Sequence, residues 1–191
     1  MGLMDILLGR TKPALPNLDA LFALPSAAIT LQAAADFRPT GTGSVCFRAV
    51  EGRAFSDIEN EVRQLLAMGD QDAPSVELTA DSYGYTWLVC KRPPDEMESL
   101  VTDLHAVNSS LEAGGFGPQL LCTIAGFTDD RQRRLGLVYL YKRGTFYPFA
   151  PLSGDRRDNA LELQVKGALG DDLKIEPDLS RWFGVWGAPG L

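Results

Sequence analysis

Apolar positions set their clearest rhythm between Glu96 and Phe127. Met97, Leu100, Val101, Leu104 and Leu111 recur at spacings of three, four and seven, which predicts a helix over 95–113 that buries one face. Asn108 falls on that stripe, and His105, the only histidine, lies beside it. Gly114 and Gly115 stop the helix through left-handed backbone. Pro118 then opens a strand over 119–127, with Leu120, Cys122 and Ile124 on one face. Upstream, 45–50 reads as a strand. Ser56 and Glu59 form a capping box ahead of a helix that buries Ile58, Val62, Leu65 and Leu66. Val76–Ala80 and Tyr85–Lys91 pair as a hairpin around 81–84. Downstream, 135–142 and Thr145–Phe149 pair across Arg143 and Gly144. Leu137, Tyr139 and Tyr141 share one face of that strand and Val138 and Leu140 the other, as in an interior strand. Asp155 caps a last helix with Leu161, Val165, Ala168 and Leu169 as its face. Near the start, Asn17 caps a short helix through Leu24, and Pro25 opens a second through Ala35, although its AAITL run also suits a strand. Residues 38–44 read as a Gly/Pro/Thr loop.

After a helical N-terminal segment the order is thus β-α-β-β-α-β-β-β-α. Hairpin connections dominate, so the expected fold is α+β: a two-layer sandwich with a mostly antiparallel sheet and helices on one face. The outline resembles ferredoxin-like domains and small type III secretion chaperones, analogies that confer no function. Residues 1–16 form an apolar arm and hinge, and 17–191 a single α+β domain. Leu3, Met4, Leu7 and Leu8 give the arm an apolar face. It packs on its own domain, on a partner, or as an amphipathic helix on a membrane. Burying four such side chains contributes ~6–8 kcal/mol, against ~10 kcal/mol to order ten residues. Alone, the arm would touch lipid weakly.

Composition narrows the function classes. The 191 residues carry a formal charge of −7 and a pI near 4.7, which disfavours nucleic acid and an anionic membrane surface as main partners. Cys46, Cys90 and Cys122 are too scattered for a disulfide framework or a metal site, and suggest reduced thiols in a cytoplasmic protein. No apolar run approaches the ~20 residues of a membrane span, and the start lacks the basic region of a secretory signal. No cofactor or metal is expected.

Few residues carry candidate chemistry. His105 is the acid–base candidate, as the residue type suited to proton transfer, but Cys122 and Cys90 alternate with aliphatics and read as core hydrophobes. With Asn108 it marks a candidate small-ligand or catalytic site; Asn108 also reads as a structural anchor. Arg156 and Arg157, in the charged start of the last helix, form a solvated capping cluster or a docking site. Trp182 and Trp186 strap the tail onto the core or anchor a partner. The glycines at 41–43 and 114–117 fit no phosphate loop.

Longer blocks carry a resemblance over nearly the whole chain: MGLMDILLGRTKP, NLDALFALPSAAITLQAA, GSVCFRAVEG, YGYTWLV, VTDLHAVNSSLEAGGFGPQLLC, LVYLYKRGTFYPFAP, RRDNALELQVKGAL and IEPDLSRWFGVWGAPGL. Together they resemble the PspA-associated PspAB family. The resemblance implies a place in the phage-shock, envelope-stress response and a coiled-coil partner, PspA, that works on the inner membrane surface. It implies no catalytic residues. The expected function is a non-enzymatic adaptor or regulatory binding protein, cytoplasmic or peripheral at the inner face of the membrane. Two alternatives stay open: a small-ligand binder or enzyme near His105 and Asn108, and a chaperone-like homodimer that covers a helical client.

Overall fold

Small residues decide where the central helix meets the sheet. In the computed structural model, which describes residues 16–48 and 76–191 together with Ser56, Asp57, Asn60 and Gln64, Gly43 lies under that helix. A Cβ on Gly43 would stand 2.7 Å from Leu104 Cδ1. The helix, α2 (Met97–Leu111), buries Met97, Leu100, Val101, Leu104, Val107 and Leu111, the predicted stripe with Val107 added. Gly115, at φ +86°, ends it in the left-handed region, which a residue without a Cβ enters without penalty.

The strands are β1 (Arg38–Arg48), β2 (Val76–Ala80), β3 (Tyr85–Lys91), β4 (Leu120–Thr128), β5 (Arg134–Leu140) and β6 (Thr145–Phe149). They form one sheet in the order β2-β3-β1-β4-β5-β6, with every neighbour antiparallel. The first four strands have the order of a split βαβ unit. A short ribbon of β7 (Pro151–Leu152) and β8 (Arg156–Arg157) precedes the last helix, α3 (Asn159–Ala168). The architecture is the expected α+β arrangement of a six-stranded antiparallel sheet with helices packed against it.

At the N-terminal end a 3-10 turn, Leu18–Ala23, runs directly into α1 (Leu24–Ala35). AAITL is therefore helical. By length and composition the 18-residue stretch Leu18–Ala35, of mean hydropathy 1.4, could cross a membrane. Here Leu21, Leu24, Ala27 and Leu31 lie buried in the core beside α2.

Four local expectations are corrected. Residues 38–44 belong to β1, because Gly41 at φ +76° and a register shift between Pro39 and Gly43 let Pro39 and Gly43 pair with β4 while Thr42 pairs with β3. Leu120 does not share a face with Cys122 and Ile124. Cys46 pairs with Cys122 but Phe47 with Leu120, and this bulge turns Leu120 to the helix side. Asn17 makes no side-chain cap; its backbone N–H donates to Tyr139 Oη (3.3 Å), which donates to Asn17 O (2.8 Å). Asp158, not Asp155, caps α3 by accepting from Leu161 N–H at 3.0 Å. Asp155 instead occupies a turn at φ +50°.

Among the described residues, the helices leave the second face of the sheet to the tail. Cys46, Trp87, Val89, Cys122, Ile124, Val138, Tyr147 and Phe149 form a second core there, closed by Trp182 and Ala188. Gly126 and Gly136 oppose each other on β4 and β5, and Gly190 and Leu191 lie in the groove they leave. A Cβ on Gly126 would stand 2.5 Å from Gly190 O. Along the outer edge of β6, Phe146 pairs in parallel with Ile175.

The predicted helix face Ile58, Val62, Leu65 and Leu66 lies outside the described residues. Of that segment Ser56, Asp57, Asn60 and Gln64 are helical and exposed.

Candidate functional site

His105 stands on the outer flank of α2, with its side chain 27% exposed. With its proton on Nε2 it donates to Asp19 Oδ1 at 3.2 Å, and its Nδ1 accepts from Ser109 Oγ at 3.4 Å. The Phe22 ring covers it, centroids 4.8 Å apart. Acid, imidazole and hydroxyl are thus aligned, yet Asp19 is 85% exposed, where water screens its charge. The contact clasps the N-terminal turn onto α2. The cavities of about 550 and 490 Å³ are lined by neither His105 nor Asn108.

Asn108 is buried and does not line a site with His105. Its Nδ2 donates to Leu104 O (2.8 Å) and to Thr123 Oγ1 (2.9 Å), so the amide ties α2 to β4. The sulfurs stand apart from the imidazole. Cys90 belongs to the core on the helix side, where burial pushes its thiol up to about 12. Cys46 and Cys122 lie on the tail side. Contact with Cys122 first, and burial second, raise the Cys46 thiol far above the usual range, so it stays protonated.

Arg156 and Arg157, neighbours in β8, differ in use. Arg156 is exposed and donates to Ser153 O (3.1 Å). Arg157 turns inward: Nε reaches both oxygens of Glu162 (2.8 and 2.9 Å), and Nη1 donates to Trp182 O (2.6 Å). Its guanidinium lies 5.1 Å from the Phe149 ring centroid. Burial pushes the Glu162 carboxyl upward, and Arg157 only partly offsets it. Arg157 therefore ties β8 to α3 and to the tail.

The tail is strapped from several elements. Trp182 Nε1 donates to Glu176 O (3.0 Å), Tyr147 Oη to Phe183 O (2.9 Å), Trp186 Nε1 to Arg156 O (3.2 Å) and Ser44 Oγ to Pro189 O (3.2 Å). Trp182 is buried and stacks on Tyr147, while Phe183 stays exposed. Gly184 is required because a Cβ there would collide with the Trp186 ring.

Strap and sheet enclose a cavity of about 490 Å³. Its floor is one transverse row of register partners, Trp87, Cys46, Cys122 and Leu140. Asp81 and Tyr83 of the β2–β3 turn, with Tyr85 at the start of β3, wall one side; Phe183 and Trp186 wall the other. This site was not read from the sequence. A signal was there, since Asp81, Tyr83, Tyr85 and Trp87 alternate with period two and aromatic content rises at the hairpin. Leu3, Met4, Leu7 and Leu8 lie outside the described residues.

Compared with known proteins, the chain matches the family model PspAB, PspA associated protein B, over residues 1–190. The chain belongs to that family. No curated protein and no solved structure matches it.

Proposed function

We propose that this protein is a non-enzymatic adaptor that binds PspA in the envelope-stress response, working in the cytoplasm or at the inner face of the membrane. The observation that carries the reading is the family match over residues 1–190, whose description is of a protein associated with PspA. The polar side chains support it. His105, Asn108 and Arg157 are each engaged in contacts that hold one element to another. A surface for a helical partner is at hand: Phe22 is 50% and Ile29 73% exposed on the Leu18–Ala35 stretch, where the N-terminal arm joins. Apolar residues on a helix dock amphipathic partners.

Co-purification tests this, using the full chain, a chain beginning at Pro16, and Ile29→Glu. PspA is expected to be enriched with the full chain and reduced by Ile29→Glu. Loss with the shortened chain assigns the contact to the arm, and retention assigns it to the folded body. No enrichment with the full chain would remove the adaptor reading.

A further inference from the structure

One charge decides what the tail-side cavity fits. Tyr83 (59%), Tyr85 (41%) and Phe183 (59%) are exposed together at its rim, above the buried Trp87 and Tyr147. Clustered exposed aromatics mark a binding surface. A purely apolar guest would suit the rings, but among the described residues Asp81 is the one charged residue in the lining. Its carboxylate accepts from Tyr83 N–H (2.9 Å), Tyr85 N–H (3.0 Å) and Trp87 Nε1 (2.9 Å), all neutral donors. Among the described residues no basic side chain pairs with it. Burial pushes this carboxyl upward, yet the three donors hold it below the usual carboxylate range. A fixed negative charge with no basic partner among the described residues thus faces a bowl of rings whose π-faces are also negative.

A cation with an apolar shell satisfies both features; an anion satisfies neither. Rings attract such cations, and quaternary ammonium groups are the usual guests of aromatic cages. We propose that this cavity binds an alkylated ammonium group of the choline type, from a free metabolite or a lipid headgroup. The proposal stands apart from PspA binding and does not depend on it.

The test is a tryptophan-fluorescence titration of the full chain, since Trp87 and Trp186 line the cavity. The probes are choline and its uncharged isostere 3,3-dimethylbutan-1-ol. Choline is expected to give a saturable change that the isostere reproduces at least about tenfold more weakly. Asp81→Asn should weaken choline by about tenfold. Tyr83→Ala, at an exposed rim position, should do so by about threefold without changing the far-UV spectrum. Sedimentation with phosphatidylcholine vesicles then separates the sources: Tyr83-dependent pelleting assigns the headgroup, and its absence assigns the free metabolite. Equal affinity for the isostere, no saturable choline response, or unchanged binding by both variants would overturn the proposal.

Discussion

Loss of a partner costs most where the remaining charge is buried. Removing Arg157 would strand Glu162, whose side chain is 3% exposed, and would free the Trp182 carbonyl. Arg157→Ala is expected to lower stability by about 3–5 kcal/mol in urea unfolding. His105 lies at the other extreme. Its acid partner is 85% exposed, so His105→Ala should cost less than about 1 kcal/mol. Asn108→Ala should cost about 1–3 kcal/mol, because Thr123 loses a buried donor. If the His105 change instead matched the Asn108 change, the clasp would be more than a surface contact. Sequence periodicity placed Asn108 on the buried stripe and His105 beside it, since helical spacing fixes direction. It gave no means of seeing Asp19, which lies 86 residues away. Arg156 and Arg157 look alike in sequence, and only the fold separates the outward one from the inward one.

Elements were legible where local pattern and tertiary need agreed, as in α2 and both hairpins. They were misread where a long-range contact overrode local propensity. Glycine and proline at 39–43 signal a loop by themselves, yet there they let β1 pass beneath α2. Gly43→Ala is expected to destabilise by about 1–3 kcal/mol, since Leu104 must shift. Thermal unfolding measures this, and an unchanged midpoint would mean that Leu104 does not press on Gly43. The Leu120 bulge had no signature because alternation on either side of it is regular. On the tail side, Trp182→Ala should cost about 3–5 kcal/mol by emptying the space over Tyr147. Aromatic content made that strap legible, whereas the aromatic cavity beneath it depends on strands brought together from across the chain.

Acid tests the molecule as a whole. Glu176 and Asp129 are buried, which pushes their carboxyls upward. Arg143 and Thr145 on the first, and Arg133 on the second, outweigh this and hold them below their ordinary values of 4.5 and 3.8. The folded state therefore takes up these protons less readily than the unfolded chain. The stability they contribute is present above about pH 5 and is lost as pH falls through 4.5 and 3.8 toward the folded values. Urea midpoints should drop steeply over that range, and Glu176→Gln should make the slope shallower. An unaltered slope would show that Glu176 titrates normally.

The strap closes contacts as distant as Ser44 with Pro189, 145 residues apart. On a translating ribosome every strand emerges before the segment that shields the tail-side aromatics. The nascent sheet must therefore wait with one greasy side bare, and a chain cut short before Trp182 would be handed to chaperones and proteases instead of maturing.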